Sequence, residues 1–188
     1  KLFRRNFPRC KNANMRLRLS PKPVVSAPAG MTSGGGCEVV LGLDRVEAAA
    51  ESYIGLVEVR VGLTPGAVGI KEMTIRCSED ILRDAQVDRF PSLKRAFDMI
   101  ATSKVSESGA HAKQLRYLRE ADGVSKNRAY HIHDAKQAVR TLVANGYQQP
   151  RLREVHVLDK AGLEKLKRET HLLQPAEHTS AYDALIAD

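Results

Sequence analysis

Residues 30–58 read GMTSGGGCEVVLGLDRVEAAAESYIGLVE, and in this stretch glycine-rich turns alternate with apolar segments. Three consecutive glycines, Gly34 to Gly36, precede an apolar run without proline. That pattern predicts a short helix that begins inside the glycine run. Glu38 lies in the first turn of the predicted helix, and Glu58 ends a second apolar segment. The two carboxylates, each close to glycine, are the first candidates for chemistry.

The glycine run predicts a site for negative charge that develops during a reaction. Backbone N–H groups with no side chain in front of them, at the positive end of a helix dipole, stabilise an oxyanion on a carbonyl. Glu38 would lie beside such a site. A glycine turn with a capping glutamate is the plainer interpretation, and the pattern by itself leaves both open.

Glu58 lies between Val57 and Val59 in a mostly apolar stretch. Burial among apolar groups raises the pKa of a carboxyl, as a general acid or base near neutral pH requires. An exposed glutamate at a strand edge is the alternative. If Glu38 and Glu58 meet in space, the pair is able to hold and activate a water molecule.

Short apolar runs and helical spacing predict the remaining elements. The segment 30–36 is predicted to lack regular structure because of its glycines. Strands are predicted over 24–27, 45–50, 52–55 and 153–158, and helices over 68–76, 92–101, 108–118, 127–144 and 161–172.

Charge divides the chain more sharply than hydrophobicity does. The net charge is +8, and residues 1–22 hold eight of the 30 basic residues and no acidic one. The remainder is neutral, so the basic character belongs to a segment that we expect to be solvated or a cut edge. The sequence therefore predicts a basic N-terminal segment over 1–22, a central domain over 23–147 and a C-terminal extension with a helix over 148–188.

Composition narrows the class of protein further. Aromatic residues make up 5% of the chain and tryptophan is absent, so the core is expected to be aliphatic. The three cysteines do not form a metal-binding or disulfide pattern and suit a reducing, cytoplasmic location. No apolar run is long enough for a membrane span, and no metal site is expected.

Several motifs together resemble one known family. They are Lys22-Pro23-Val24-Val25-Ser26-Ala27, the stretch 30–38, Asp44-Arg45, the stretch 53–58 and Gly62-Leu63-Thr64-Pro65-Gly66. This combination resembles the crotonase (enoyl-CoA hydratase/isomerase) superfamily, most of all the hydratase part of bacterial bifunctional 3-hydroxyacyl-CoA dehydrogenase/enoyl-CoA hydratases. The close match covers about residues 14–73, a weaker one continues over 101–147, and Tyr182-Asp183 resembles that subfamily's tail. The implied fold class is α/β, a partial crotonase-like ββα spiral followed by a mainly helical C-terminal region.

The resemblance implies a role for each matching residue. Glu58 corresponds to the glutamate that supplies a proton to C2 of the enoyl thioester. Glu38 corresponds to the glutamate that holds and polarises the water. Gly35 matches the glycine whose N–H contributes to the oxyanion hole, and Gly66 and Gly34 are assigned to the water and substrate site.

The implied function is the hydration of 2-enoyl-CoA to 3-hydroxyacyl-CoA in fatty-acid β-oxidation, as part of a larger bifunctional enzyme. The expected partners are the acyl-CoA substrate and either further copies of the chain or other segments of the full-length protein. No cofactor is expected in this chain, because NAD belongs only to the dehydrogenase part. Nucleic acid is not an expected partner.

Two departures from the family pattern motivate a second hypothesis. Val68 stands where the family usually carries glycine, and because β-branched residues disfavour a positive φ we expect a reshaped turn. The family's second oxyanion donor lies on a loop well upstream of Lys22, and residues 1–11 do not resemble the family's upstream sequence. The alternative is therefore a catalytically incomplete fragment that retains the acyl-CoA motifs. A weaker alternative is an anion- or nucleic-acid-binding module that acts through the basic segment.

Overall fold

A computed structural model describes residues 2–81, 87–152, 154–155 and 157–173. In chain order the elements are α1 (Leu2–Arg18), β1 (Val25–Ser26), β2 (Gly30–Ser33), α2 (Gly35–Leu41), β3 (Arg45–Ala49), β4 (Ser52–Gly55), a 3-10 helix (Glu58–Val61), α3 (Gly69–Cys77), α4 (Phe90–Ala101), α5 (Gly109–Gln114), β5 (Gly123–Ser125), a second 3-10 helix (Arg128–Tyr130), α6 (His131–Ala144) and α7 (Lys160–Leu173).

Two small parallel sheets organise the first half of the chain. One has the order β1-β3-β5, with Val25 opposite Arg45 and Glu47 opposite Gly123, and the other pairs β2 with β4. Parallel neighbours need a crossover connection, and α2 is part of the crossover from β1 to β3 and of the one from β2 to β4. Each turn of the chain thus adds one strand to each sheet and then a helix, which is the ββα spiral that the resemblance implied.

The core lies between the two sheets and the helices α2 to α5. It is aliphatic, as the composition predicted, because strand and helix positions that face inward carry valine, leucine, isoleucine, alanine and methionine. The buried cluster consists of Cys37, Val40, Leu41, Val46, Ala48, Ile54, Leu56, Met73, Cys77, Ala96, Met99, Ala112, Tyr117 and Leu118.

The basic N-terminal segment is exposed over residues 8–13 and packs on the domain only near its end. It forms α1, and the last turn of this helix packs on the domain: Arg18 is buried, and its Nη1 lies 2.8 Å from Oε1 of the buried Glu72 on α3. The same guanidinium donates to the carbonyl of Gly42 at 3.4 Å. A basic residue in the last helical turn also suits the negative end of the helix dipole. Arg18 thus belongs to the domain's interior.

Some of the predicted helices and strands are present in the structure and others are not. The helices predicted over 68–76, 92–101 and 161–172 and the strands over 45–50 and 52–55 are confirmed with small shifts of their ends. The segment 30–33, predicted to be irregular, is strand β2, because pairing with β4 supplies hydrogen bonds that local glycines do not exclude. The strand predicted over 153–158 does not form in its described residues, and residues 153 and 156 lie outside them. Tyr182-Asp183 also lies outside the described residues.

Arg76 on α3 joins three parts of the domain. Its guanidinium is 1% exposed and donates to the carbonyls of Leu41 and Tyr117, both at 2.9 Å. Asp122 Oδ2 lies 3.8 Å from Nη1 and also accepts from the Arg119 N–H. Burial, followed by the charge of Arg119, lowers the pKa of Arg76 to about 10. Arg76 therefore satisfies the carbonyl of Leu41 at the end of α2 and the carbonyl of Tyr117 after α5.

We expect Arg76→Ala to destabilise the fold strongly. It leaves two buried carbonyls and the Asp122 carboxylate without their partner, and losing one side of a buried ionic arrangement costs about 3–5 kcal/mol. Urea denaturation followed by circular dichroism measures this loss. The control is Arg140→Ala at an exposed position on α6, which should change stability by less than about 0.5 kcal/mol. Equal midpoints for the two variants would contradict the role of Arg76.

Candidate active site

Glu38 is buried and held in one orientation by the neighbouring helix. Its Oε1 accepts hydrogen bonds from the N–H groups of Val68 at 3.0 Å and Gly69 at 2.8 Å. These amides belong to the N-terminus of α3, where N–H groups lack partners within the helix. Glu38 is therefore a capping glutamate, but it caps α3 and not its own helix α2. No described residue donates to Oε2, which leaves this oxygen available for a ligand or water.

Val68 does not take the conformation that motivated our doubt about the turn. Its φ is −161°, which is extended backbone that any residue adopts, and its side chain is buried. The N–H of Val68 is one of the two donors to Glu38. The expectation of a turn reshaped by valine therefore stays a prediction, but the Val68 amide still reaches the Glu38 carboxylate.

Gly69 is the residue that has to be small. A Cβ built on it would lie 3.0 Å from Glu38 Oε1 and 2.8 Å from the Cβ of Pro65. Any side chain would push the carboxylate away from the helix. The sequence analysis did not single out Gly69, although its place directly after Pro65-Gly66-Ala67-Val68 was visible as part of a glycine-rich turn.

Glu58 begins the 3-10 helix that follows β4 and Leu56-Val57. It is half-buried as a residue, but neither carboxylate oxygen is accessible or hydrogen-bonded to the described residues. Burial raises the pKa of Glu58, and the nearby charge of Glu38 raises it further. The exposed strand-edge alternative is thus wrong, and the direction of the shift, toward a carboxyl that keeps its proton, is the one that a general acid needs.

Gly34 lies against the Glu58 carboxylate. Its φ of +58° is a left-handed conformation that favours glycine, and its N–H donates to the carbonyl of Gly55 at 2.9 Å. A Cβ on Gly34 would lie 3.5 Å from Glu58 Oε1. The β2–α2 turn therefore passes directly beside the second carboxylate and brings α2, which carries Glu38, to the same place.

Gly35 is the first residue of α2, and its N–H has no acceptor among the described residues. No atom lies within 4 Å of the position that a Cβ on Gly35 or Gly36 would occupy, so the space in front of this turn is open. An amide donor at a helix N-terminus facing open space suits an oxyanion. The geometry thus leaves Gly35 free for the role that the resemblance implied.

Gly66 lies in the turn between Pro65 and Val68 and lines a surface cavity of about 360 Å³ with Lys11 and Lys71 at its rim. The structure places this glycine beside the two amides that hold Glu38. It shows no direct contact of Gly66 with either carboxylate. The water-site assignment of Gly66 therefore stays a prediction.

Two buried hydroxyl groups support the site, and no sequence motif identified them beforehand. The buried hydroxyl of Tyr117 accepts from the Leu56 N–H at 3.3 Å and donates to the Lys104 carbonyl at 2.7 Å. The Ser106 hydroxyl accepts from the Ile54 N–H at 2.8 Å. Both fix the end of β4, two to four residues before Glu58.

Cys37, the residue before Glu38, is fully buried, and burial together with the Glu58 charge raises the pKa of its thiol, so it packs and does not react.

Comparisons with known proteins agree with this geometry. Residues 6–79 match the family described as Enoyl-CoA hydratase/isomerase. A probable 3-hydroxyacyl-CoA dehydrogenase of Bacillus subtilis is 37% identical over 179 residues, which cover 95% of this chain and 22% of the relative. A short-chain-enoyl-CoA hydratase of Clostridium acetobutylicum is 39% identical over 59 residues, or 31% of this chain and 23% of the relative. The chain thus spans about a fifth of the length of either relative.

Solved structures show the same fold. An enoyl-CoA hydratase from Bacillus anthracis superposes with a TM-score of 0.61 at 18% identity, covering 99% of this chain and 58% of that one. An enoyl-CoA hydratase/isomerase from Cupriavidus metallidurans gives 0.60 at 15% identity, covering 98% and 58%. At these identities the likeness establishes the fold alone. The chain therefore has the fold of these enoyl-CoA hydratases, and its motifs resemble those of the crotonase superfamily.

The segment that is similar to the enoyl-CoA hydratase/isomerase family is residues 6–79. Glu38, Glu58, Gly34 and Gly35 all lie in this segment. In the part of the chain that the structure describes, no helix has the length and apolarity needed to cross a membrane.

We expect Glu58→Gln to raise thermal stability at neutral and higher pH. The raised pKa means that the folded protein binds the Glu58 proton more tightly than the unfolded chain does. The free energy of unfolding therefore falls as the pH rises from about 4.5 through the folded pKa. Above the folded pKa the buried, ionised carboxylate keeps it lower. Glutamine stays neutral, so the variant should melt higher than the wild type near pH 8 and equally near pH 4.

Melting curves by circular dichroism across this pH range measure the effect. Glu51→Gln is the matched control, because Glu51 is an exposed carboxylate in the turn between β3 and β4 and should show no such pH-dependent gain. A Glu58→Gln chain that melts lower than the wild type near pH 8 would show that the buried carboxylate has a stabilising partner.

Proposed function

We propose that this chain carries the catalytic carboxylates of an enoyl-CoA hydratase, which adds water to 2-enoyl-CoA to form 3-hydroxyacyl-CoA in fatty-acid β-oxidation. The observation that carries the proposal is the contrast between two neighbouring carboxylates. Oε1 of Glu38 accepts hydrogen bonds from two amides, and its Oε2 accepts none from the described residues. The carboxylate oxygens of Glu58 are buried without a hydrogen bond to the described residues, and burial raises the pKa of this group. Environments that separate the protonation of two carboxyls assign one as base and one as acid.

The chemistry follows from these two environments. Oε2 of Glu38 accepts a hydrogen bond from water and takes its proton as the water oxygen bonds to C3 of the enoyl thioester. Glu58 gives its proton to C2, so the elements of one water molecule are added across the double bond. Glu38 ends the turnover with one proton more and Glu58 with one fewer. Transfer of that proton between the neighbouring groups restores the starting state.

Gly35 supports the same reaction through its backbone. Negative charge moves onto the thioester oxygen while C3 is attacked, and the N–H of Gly35 at the start of α2 would stabilise it. Removal of one such donor typically costs a reaction about 10²–10³-fold in rate. Hydration involves no net oxidation, so the proposed step requires no cofactor from this chain.

The wider context is part of the proposal. The similarity to a Bacillus subtilis relative of which the chain covers 22% supports a place within a larger hydratase/3-hydroxyacyl-CoA dehydrogenase. In such an enzyme NAD would serve the dehydrogenase part. The hydration product, a 3-hydroxyacyl thioester, carries the secondary alcohol that a dehydrogenase oxidises.

Substitution of either carboxylate tests the proposed reaction. With crotonyl-CoA as substrate, loss of the enoyl-thioester absorbance reports hydration by the purified chain. Glu58→Gln cannot supply the proton to C2, and we expect the rate to fall by about 10²–10⁴-fold. Glu38→Gln should lower it by a similar factor, because an amide is a poor acceptor for the proton of water.

Glu51→Gln again serves as the control and should hydrate crotonyl-CoA at the wild-type rate, since its carboxylate is exposed outside the site. If Glu58→Gln hydrates crotonyl-CoA at the wild-type rate, the assignment of Glu58 as the proton donor is wrong. Absence of turnover by the wild-type chain would favour the hypothesis of a catalytically incomplete fragment.

A further inference from the structure

The outward side of α1 is a surface that the proposed reaction does not use. Four residues of this helix face the domain: Lys11 at the rim of the cavity of about 360 Å³, the buried Asn14, Met15, whose sulfur accepts from a lysine of α3, and the buried Arg18. Their spacing of three, one and three residues is that of one stripe along a helix. The other residues between positions 8 and 17 are all exposed, and together they form the outward side of α1.

This outward side combines positive charge with a short apolar strip. Arg9 and Arg16 are both exposed and stand seven residues apart, so they lie on the same side of the helix. Cys10, Ala13 and Leu17 follow beside them at spacings of three and four residues, and all three are exposed. Leu17 is 39% exposed, although a leucine side chain gains from leaving water.

Positive charge is concentrated in this part of the chain. Residues 1–22 hold eight basic residues and no acidic one, whereas the remaining 22 basic residues are matched by 22 acidic ones. The charge distribution is therefore strongly asymmetric, and α1 lies at its positive end. An anionic surface would attract the chain with this helix foremost.

The apolar strip favours a membrane surface over nucleic acid as the anionic partner. Helices that lie in the interface of an anionic bilayer combine basic residues with an apolar side that enters the boundary between head groups and acyl chains. Nucleic acid offers phosphates to arginines, but its bases stack on aromatic side chains, and the described side chains of α1 include no aromatic one. In a bilayer, by contrast, Leu17 would leave water.

We infer that the outward side of α1 binds the surface of an anionic phospholipid membrane, with Arg9 and Arg16 at the lipid phosphates and Leu17 among the upper acyl carbons. The inference is independent of the proposed reaction. Each basic residue close to such a surface strengthens binding by about fivefold. Because ions screen exposed charges, binding weakens as the salt concentration rises.

Co-sedimentation of the full chain with lipid vesicles tests this inference. We expect binding to mixed phosphatidylglycerol and phosphatidylcholine vesicles, and much weaker binding to phosphatidylcholine alone. Arg9→Gln combined with Arg16→Gln should weaken binding by about 25-fold. The control pair is Arg128→Gln with Arg140→Gln, which removes the same charge at two exposed positions outside α1 and should bind like the wild type.

A thiol-reactive dye reports whether the apolar strip enters the bilayer. Cys10 is exposed whereas Cys37 and Cys77 are buried, so an environment-sensitive dye labels the outward side of α1. Its emission should shift to shorter wavelength when the labelled chain binds phosphatidylglycerol vesicles. Leu17→Gln keeps the charge and should weaken binding severalfold. Far-ultraviolet circular dichroism checks that each variant keeps its helices.

Three results would overturn the inference. One is equal binding to both kinds of vesicle, or equal binding by the two pairs of arginine variants. Another is a dye emission that does not change on vesicle binding, or wild-type binding by Leu17→Gln, because either would leave the strip in water. The third is tighter binding to a single-stranded oligonucleotide than to vesicles at equal phosphate concentration, which would assign this side of α1 to nucleic acid.

Discussion

The hydrogen bonds from the Val68 and Gly69 amides to the Glu38 carboxylate are the constraint on which the site depends. A buried carboxylate needs donors, and the first N–H groups of a helix need acceptors, so each satisfies the other. The contact joins the start of α2 to the start of α3 across about 30 residues. It locks two successive turns of the spiral together at the point where the 3-10 helix brings in Glu58.

The two carboxylates differ because their surroundings differ. Glu38 receives its hydrogen bonds from a helix terminus, which holds its carboxylate in one orientation. Glu58 is surrounded by apolar groups and by the charge of Glu38, and both disfavour its ionisation. The carboxylate oxygens of Glu58 have no hydrogen-bond partner among the described residues, whereas the guanidinium of the fully buried Arg76 donates to two carbonyls. Unsatisfied polar groups of this kind are more common where chemistry takes place.

The pattern of glycines and apolar residues along the sequence predicted secondary structure correctly wherever contacts within the element decide it. Gly34 to Gly36 before an apolar run predicted α2, and the pairing of Glu38 with Glu58 in the family motif predicted the site. The sequence pattern gave wrong predictions where contacts with residues far along the chain determine the structure. Strand β2 forms in a glycine-containing segment because β4 supplies its hydrogen bonds. The basic helix α1 packs on the domain because Glu72, more than 50 residues away, pairs with Arg18.

By itself the sequence determined the order of the elements, the aliphatic core and the identity of the residues that carry the chemistry. Periodicity and side-chain type are local properties, and a combined glycine and glutamate motif is specific. Only the tertiary structure decided which oxygen of Glu38 is occupied, that Glu58 is buried without a partner, and that Val68 serves the site through its backbone. These properties depend on the burial and hydrogen bonding of groups far apart in the chain, and no residue type encodes them alone.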